Sequence, residues 1–319
     1  MVGMVKFFSE TDVRRLLPMD AAIRLLRDAF EALGRGSAQN QARRRLALPG
    51  GSMLHALAGV YNGYFGTKIY ATHPRHGAHF LVLLYDAATA APLAVFEANH
   101  LGQIRTGAAS GLATDLLASR DASVAAIIGS GFQARSQLEA VAAVRKLTRV
   151  RVWSRSAEKR ARFAAEMSGL LGLPVEAAGS AESAVRGAGI IVTATYAKDP
   201  VLEDEWVPEN SHVNAVGSNN PDRRELPAEL IGRAGLIAVD SLEQARIEAG
   251  DLIQALGDAE WDSDRVVGLQ RLLTGECAAR PGPTVFKSVG LGVEDTAAAG
   301  YIYRKAMEEG WLKELPLYS

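Results

Sequence analysis

The stretch AAIIGSGFQARSQLEAV, residues 125–141, passes from a short apolar run through a Gly-x-Gly turn into helix-forming residues. Its turn fits the pattern G-x-G-x-x-G/A, with Gly129, Gly131 and Ala134 at the three defining positions. Gly129 permits a tight turn, Gly131 lacks a Cβ where the backbone must approach a pyrophosphate, and Ala134 keeps the helix close to the strand. The helix N-terminus then offers N–H groups and partial positive charge to phosphates. The stretch therefore predicts a dinucleotide-binding turn.

The sequence around this turn alternates between short apolar strands and helices from about residue 122 onward. The predicted strands read SVAAIIG, RVRVWS, PVEAA, GIIVTAT, HVNAVG, GLIAVD and TVFKSVG. Helical segments are predicted at 133–145, 156–171 and 242–249. Alternation of this kind is typical of a parallel sheet with helices on both faces. The predicted fold class is α/β, with a Rossmann dinucleotide-binding domain.

The end of the second predicted strand, VRVWSRSAEK at 150–159, bears on which dinucleotide binds. A NAD site usually places Asp or Glu here to accept from the ribose 2′-hydroxyl, and a carboxylate would repel a 2′-phosphate. This chain instead has Ser154, Arg155 and Ser156, with Lys159 one turn later. Hydroxyls and cations suit the additional phosphate. The pattern favours NADP as the cofactor, with NAD as the alternative.

The first 119 residues have a different organisation. Amphipathic helix signals such as MDAAIRLLRDAFEALGRG precede β-like segments joined by the turn DAATAAP, which predicts an antiparallel, hairpin-rich sheet. A long helix, VEDTAAAGYIYRKAMEEG, closes the chain. We predict an α+β substrate and dimerisation domain over 1–119, the dinucleotide domain over 120–294, and a terminal helix, 295–319, that returns to the first domain.

Bulk composition excludes several classes of protein. The 319 residues carry a net charge of −1 with 48 % hydrophobic residues, which gives no electrostatic reason to expect nucleic acid or an anionic membrane as a partner. The single cysteine, Cys277, cannot form an intrachain disulfide. The first residues lack the apolar core of a signal peptide, and no apolar run is long enough to span a bilayer. We expect a soluble, cytoplasmic protein.

Four basic residues precede the dinucleotide turn in unusual settings. Lys68 lies in the apolar segment GYFGTKIYA, where burying an unpaired ammonium would be costly. Arg105 is predicted to begin a helix, where its charge opposes the helix dipole. Arg43 and Arg45 would project to the same side of a strand. Two or three of these cations in one pocket would bind a small carboxylate well.

Several histidines in the first 119 residues are potential metal ligands by residue type alone. His73, His76, His79 and His100 have no spacing typical of a metal site, and HPRHGAH indicates an exposed turn. No metal site is predicted.

The ordered motifs RRRLALP, GTKIYATHP, IRTGAASGLAT, IGSGFQA, VNAVGSNNPDRREL and FKSVGLGVED resemble the ornithine cyclodeaminase and mu-crystallin family. The resemblance extends over nearly the whole chain. It implies a homodimer in which each chain pairs a Rossmann domain with a domain built from both chain ends. It also implies that the substrate is a small amino or imino acid. Members include cyclodeaminases, ketimine and cyclic-imine reductases, and alanine dehydrogenase-like enzymes.

The resemblance also assigns expected roles to residues. Lys68 and Arg43 become carboxylate ligands, with Arg45 as the alternative if the strand register differs. Arg105 would lie between the substrate and the cofactor phosphates. The remaining expected cofactor contacts are Thr106, Phe132, Gln133, Thr195, Val216, Gly217 and Ser288.

Two departures from the family pattern decide among its reactions. Ornithine cyclodeaminases place an aspartate in the motif that reads VGSNN here, and the matching residue is Asn219. A second expected carboxylate is replaced by His55 in LHALAG. An amide neither acts as a general base at neutral pH nor pairs ionically with an ammonium group. Asn219 is instead similar to the imine-reductase branches, although NNPD could simply form a turn.

We therefore predict an NAD(P)-dependent imine reductase or amino-acid dehydrogenase that transfers hydride at the α-carbon. Arg43 and Lys68 would hold the substrate carboxylate, and Lys68 or His55 would transfer the proton. The alternatives are an ornithine cyclodeaminase and a crystallin-like protein that binds NADP without catalysis.

Overall fold

A computed structural model describes residues 3–275 and 281–317 of the chain. It divides into two compact units. The first comprises the chain up to Arg105 together with the segment from Gly290, and the second comprises Thr106–Val289. Cys277 lies outside the described residues, so the structure says nothing about it.

In the order of the chain, the second unit is inserted between the two segments that form the first unit. The N-terminal elements are β1 (Gly3–Phe8), α1 (Glu10–Leu16), α2 (Met19–Gly34), β2 (Gln39–Ala47), β3 (Met53–Tyr61), β4 (Tyr64–His73), β5 (Gly77–Asp86), β6 (Pro92–Glu97) and α3 (Asn99–Leu117). The elements of the second unit are β7 (Val124–Ile128), α4 (Phe132–Val144), β8 (Arg149–Trp153), α5 (Ala157–Leu171), β9 (Val175–Ala177), α6 (Ala181–Val185), β10 (Ile190–Thr193), β11 (His212–Ala215), α7 (Ala228–Arg233), β12 (Leu236–Val239), α8 (Leu242–Glu248), α9 (Gly250–Ile253), α10 (Asp258–Trp261), β13 (Val266–Gly268), α11 (Leu269–Leu273) and β14 (Thr284–Lys287). The C-terminal elements are α12 (Gly292–Glu308) and β15 (Glu314–Leu317).

The first unit contains a seven-stranded sheet in the order β15-β1-β6-β5-β4-β3-β2. Strands β2 to β6 pair antiparallel, as the hairpin signals predicted, whereas β1 pairs parallel with β6. Helix α12 packs on β3 and β4. It is tied to this sheet by the Thr296 hydroxyl, which donates to the Gly59 carbonyl at 3.3 Å, and by Asn40, whose side-chain oxygen accepts from the Val293 N–H. The C-terminal helix thus belongs to the first unit.

The second unit contains an eight-stranded sheet in the order β13-β12-β14-β11-β10-β7-β8-β9, and all its neighbouring strands are parallel. All seven strands predicted from the apolar runs are present, and the α/β fold class is confirmed. Strand β13 was not predicted, because a strand of only three residues cannot be distinguished from a loop by its sequence pattern. The strand order reverses between β7 and β10. Ligands of doubly wound sheets bind beyond the carboxyl ends of the strands at this point.

Helix α3 contains the division between the two units. Its second half packs within the second unit, where the buried guanidinium of Arg145 donates to the Thr114 carbonyl at 2.8 Å and to the Asp115 carboxylate at 3.2 Å. The division therefore falls at 105/106 rather than near 119/120, and the second division falls at 289/290 rather than 294/295.

The predicted start of helix α3 was wrong. The helix begins at Asn99, so Arg105 lies in its second turn, away from the positive end of the helix dipole. Within the described parts of the chain, no helix combines the length and apolar character needed to cross a bilayer.

Candidate functional site

The turn after β7 has the geometry that the glycine pattern predicted. Gly129 adopts φ +114°, and a Cβ on it would lie 2.4 Å from the Ala194 carbonyl oxygen, so only glycine fits there. Gly131 caps helix α4, and a Cβ on it would meet no atom within 4 Å. Ala134 is fully buried, which brings the first turn of α4 close to the sheet.

The start of α4 suits an anionic ligand. Among the described residues, no side chain caps this helix end. The Gln133 side-chain oxygen is buried there without a hydrogen-bond partner in the described structure, and the ring of Phe132 is half exposed. Backbone N–H groups and the positive end of the helix dipole are thus directed into open space beside a residue that has no Cβ. The residues present fit the pyrophosphate of a dinucleotide.

The end of β8 presents hydroxyls and one exposed cation. The Ser130 hydroxyl donates to the Ser154 hydroxyl oxygen at 2.9 Å, which links the glycine turn to this strand end. Ser156 caps α5 by accepting from the backbone N–H of Lys159 at 3.2 Å, and Arg155 is exposed. No carboxylate occupies the positions between β8 and α5, whose sequence is Ser-Arg-Ser.

Further predicted cofactor residues follow strands β10, β11 and β14, which lie on the other side of the point where the strand order reverses. Thr195 follows β10, while Val216 and Gly217 follow β11; the Val216 N–H donates to the Thr193 carbonyl at 2.9 Å. Ser288 follows β14, and its hydroxyl donates to the buried carboxylate of Asp240 at 3.0 Å. These positions share the carboxyl edge of the parallel sheet.

A buried carboxylate that the sequence analysis did not single out joins two of these strand ends. Glu225 accepts hydrogen bonds from the backbone N–H groups of Thr195 and Gly217, at 2.6 and 2.7 Å. Burial raises the pKa of Glu225, and the nearby ammonium of Lys287 opposes this effect. In the sequence, burial of Glu225 is indicated only by the apolar residue that follows it in RREL.

Asn219 and Thr106 take less distinctive positions in the second unit. Asn219 is exposed in the loop after β11. The turn in NNPD is formed by its neighbour Asn220, whose side-chain oxygen accepts from the Asp222 N–H at 2.8 Å. Thr106 is buried on α3, and its carbonyl accepts from the Gln137 side chain at 3.2 Å.

In the first unit, a β-bulge directs Arg43 into the interior. The pairing of β2 with β3 shifts between Gln41 and Arg44, so Ala42 and Arg43 together oppose a single residue of β3. Arg43 is buried, and its guanidinium donates to the Gly290 carbonyl at 3.2 Å. Arg45 lies opposite His55 in the register and is only partly buried.

Lys68 is buried on the same face of the sheet, where its ammonium lies 3.3 Å from a carboxylate oxygen of Asp295 and 5.1 Å from the Phe80 ring centroid. Burial lowers the pKa of Lys68 to about 8; Asp295 acts against this shift, whereas Arg105 and Arg43 add to it. At neutral pH this side chain is therefore still an ammonium group, but one that loses its proton readily.

Arg105 completes a cluster of buried charges with the first turn of α12. Its guanidinium donates to Glu294 at 2.7 Å and to Asp295 at 3.0 Å, and all three side chains are almost fully buried. Glu294 and Asp295 were present in the quoted motif GVED but were not assigned a role. Their signal was two adjacent carboxylates in the first turn of a helix that is otherwise apolar on its packed face.

His55 is buried beside this cluster and is uncharged at neutral pH. Its ring stacks on Tyr70 with 4.2 Å between the centroids, and its Nε2 shares a hydrogen bond of 3.1 Å with the Thr72 hydroxyl. Burial, together with the positive charges of Arg45 and Arg43, lowers the pKa of His55 to about 4. A cationic histidine is thus excluded near pH 7.

The charges of this cluster have a simple chemical consequence. Three cationic side chains, Arg43, Lys68 and Arg105, are buried in this cluster together with the carboxylates of Glu294 and Asp295. Such a group of donors suits a ligand with one carboxylate. No group of three potential metal ligands occurs among the described residues, and the histidines of HPRHGAH lie around the turn that joins β4 to β5.

Comparison with known proteins agrees with this arrangement of motifs. The model of the ornithine cyclodeaminase/mu-crystallin family matches residues 4–310. A Delta(1)-pyrroline-2-carboxylate reductase of Bacillus cereus is 41% identical over 234 residues, 72% of each chain. The ketimine reductase mu-crystallin of Mus musculus is 37% identical over 251 residues, 77% of this chain and 74% of that protein. The structure of Thermococcus litoralis Delta(1)-pyrroline-2-carboxylate reductase in complex with NADH and L-proline has a TM-score of 0.92 at 32% identity, covering 98% of this chain and 100% of that chain.

Proposed function

Because this chain belongs to the ornithine cyclodeaminase/mu-crystallin family, we propose that it is an NAD(P)-dependent reductase of small cyclic ketimines. Its substrates are pyrroline- or piperideine-2-carboxylates, which it reduces to the corresponding cyclic amino acids. The observation that carries this proposal is the burial of three cationic side chains, Arg43, Lys68 and Arg105, in one cluster. A protein that only stored a dinucleotide would have no use for it.

The roles of the residues follow from their chemistry. Arg43 and Lys68 bind the substrate carboxylate and fix the orientation of the C=N bond. Glu294 and Asp295 hold Arg105 and Lys68 in place. The second unit binds the dinucleotide through the glycine turn and the strand ends, and the reduced nicotinamide supplies a hydride to the imine carbon when bound.

The proton that the imine nitrogen requires comes from Lys68 rather than His55. Lys68 is an ammonium group with a pKa of about 8, close to the pH at which the enzyme would work, which suits a general acid. His55, with a pKa of about 4, carries no excess proton at neutral pH. We assign His55 a packing role, in which its ring stacks on Tyr70 beside the charged cluster.

NADP is the proposed preferred cofactor. The position after β8 that would carry an acidic residue in a NAD site is Ser154, and the exposed cation of Arg155 follows it. A carboxylate there would repel a 2′-phosphate, whereas hydroxyls and a guanidinium attract it. NAD remains the alternative, because the similar Thermococcus litoralis structure contains NADH.

The proposed assembly is a homodimer formed through the outer face of the first sheet. Leu54, Phe65, Ile69 and Leu81 are exposed on this face, opposite the face that carries Lys68. Exposed apolar side chains in a contiguous row mark protein interaction surfaces. We also propose a cytoplasmic location, because the substrate and the reduced cofactor are both small soluble metabolites.

The test is oxidation of NADPH and NADH by the purified protein with pyrroline- and piperideine-2-carboxylate, beside ammonia release from ornithine. We expect oxidation that depends on the imine, and a loss of about 100-fold or more in kcat/KM for Lys68→Ala. Arg24→Ala, which removes an exposed arginine of α2, is the control and should leave the rate unchanged.

Two other outcomes would reject the proposal. Ammonia release without net oxidation would mean that Asn219 does not prevent cyclodeaminase chemistry. Binding of the dinucleotide without either reaction would identify a crystallin-like binding protein.

A further inference from the structure

The carboxyl edge of the second sheet contains a buried ionic network that the proposed mechanism does not use. Glu225, Asp251 and Lys287 are all at most 1% exposed. The Lys287 ammonium lies 2.8 Å from Asp251, and one Asp251 oxygen accepts from the backbone N–H groups of Glu225 and Leu226 at 2.6 and 2.9 Å. The network therefore fixes the backbone that carries Glu225.

The Glu225 carboxylate collects four hydrogen bonds from two neighbouring strand ends. On the β10 side, the donors are the Thr193 hydroxyl at 3.1 Å and both the N–H and the hydroxyl of Thr195, at 2.6 and 2.7 Å. On the β11 side, the donor is the Gly217 N–H at 2.7 Å. Two oxygens thus accept from four donors, which is the full capacity of an ionised carboxylate.

A third strand end joins the same network. Lys287 is the last residue of β14, and its ammonium donates to the Ser218 carbonyl at 2.7 Å, one residue after Gly217. The approach of the backbones is very close here, because a Cβ on Gly217 would lie 2.2 Å from the Thr195 carbonyl oxygen. The conformation of both loops thus depends on one carboxylate.

The sheet order indicates which part of a dinucleotide these loops face. The adenine half of a dinucleotide follows the first βαβ unit, here β7, α4 and β8, whereas the nicotinamide half follows the other side of the switch point. The loops after β10 and β11 lie on that other side.

We propose that Glu225 is a positioning residue for the nicotinamide half of the dinucleotide, an inference that rests on the proposed function. The carboxylate joins the β10 loop to the β11 loop and so sets the gap in which the nicotinamide is held. A neutral side chain of the same shape cannot do this. An amide would direct N–H groups toward at least one backbone N–H donor and force that loop to move.

The experiment compares Glu225→Gln with Thr193→Val, which removes one hydroxyl donor from the network without reaching the ligand. Glu229→Gln, an exposed residue of α7, is the matched control. Dissociation constants are measured by titration for the dinucleotide that the wild type binds more tightly, NADPH or NADH. The same titration is made with its adenine half, 2′-phospho-ADP or ADP. Thermal unfolding is recorded for every variant.

We expect Glu225→Gln to weaken binding of the whole dinucleotide about tenfold and Thr193→Val about threefold, while the adenine half binds within about twofold of the wild type. Equal weakening of both ligands would show a merely structural role and overturn the inference. Unchanged dinucleotide binding would also overturn it. If Glu225→Gln does not fold, Thr193→Val alone decides between these outcomes.

Failure of the proposed function gives a different result. A wild-type protein that binds the dinucleotide but reduces no imine rejects the reductase, while the binding comparison still tests Glu225. A wild-type protein that binds neither dinucleotide overturns both.

Discussion

Lys68 illustrates how burial gives an ordinary side chain unusual acidity. Removal from water disfavours the ammonium form, and the two neighbouring arginines disfavour it further, while the carboxylate of Asp295 favours it. The balance leaves Lys68 with a pKa of about 8 instead of 10.5. A modest change in pH, or the loss of one neighbouring charge, is therefore enough to change the protonation state of Lys68.

We predict that kcat/KM for the imino acid falls as the pH rises above about 8, because Lys68 is protonated below its pKa and neutral above it. A neutral lysine neither attracts the carboxylate nor donates the proton. The measurement is a pH profile of kcat/KM with saturating dinucleotide.

A second prediction concerns Asp295→Asn. Since the Asp295 carboxylate raises the pKa of Lys68, its loss should move the alkaline limb of the same profile to lower pH. Glu308→Gln removes an exposed carboxylate from the same helix and should leave the limb in place. A limb that does not move in Asp295→Asn would mean that another group titrates.

At the scale of elements, the proposed preference for NADP can be tested at the end of β8. We predict that Ser154→Asp lowers kcat/KM with NADPH about 100-fold, because two like charges would come close, and changes the value with NADH about threefold or less. Ser154→Asn has the same size without the charge and is the control. A similar loss with both dinucleotides would assign Ser154 to the turn rather than to phosphate selection.

The contact between the loops after β10 and β11 also predicts a stability difference. Gly217→Ala would place a Cβ 2.2 Å from the Thr195 carbonyl oxygen, so backbone must move, and we expect the free energy of unfolding to fall by about 1–3 kcal/mol. Gly232→Ala in α7 meets no atom within 4 Å and should not destabilise the protein. Urea unfolding of the two variants provides the comparison.

The strands of the second unit were predictable because parallel strands buried on both faces appear as short, continuous apolar runs. The same reasoning failed at the edges of the first sheet. β1 begins the chain and pairs with the distant β15, and neither shows alternation long enough to be distinguished from a loop. The start of α3 was wrong for a related reason, because its first turn, Asn-His-Leu-Gly, has weak helix propensity.

The candidate site was predictable where chemistry and local pattern coincide, as in the glycine turn and the isolated Lys68. It was not predictable where long-range packing decides. The alternatives of Arg43 and Arg45 could not be separated because a bulge cannot be detected from one strand alone. Asp295 contacts Lys68 across 227 residues of sequence, and Glu225 contacts Thr195 across 30, so no local spacing indicates these contacts.

At the scale of the whole molecule, the proposed homodimer can be tested at the apolar outer face of the first sheet. Ile69 pairs with Ala56 and Leu81 in a row across three strands. If the proposed homodimer forms through this face, Ile69→Lys should convert it to a monomer, because a desolvated lysine at an interface centre is costly. Leu170→Lys changes a still more exposed apolar residue on α5 and should leave the dimer intact. Light scattering coupled to size-exclusion chromatography measures both masses.

The division of the chain has a consequence for biosynthesis. The second unit is one continuous segment, so it can fold as soon as residues 106–289 have left the ribosome. The first unit must wait for α12, because Glu294 and Asp295 supply the counterions of its buried cations. During the intervening synthesis its sheet lacks both its packing helix and its charge partners. We therefore expect nascent chains that stop before Gly290 to depend on chaperones, although their dinucleotide unit is already complete.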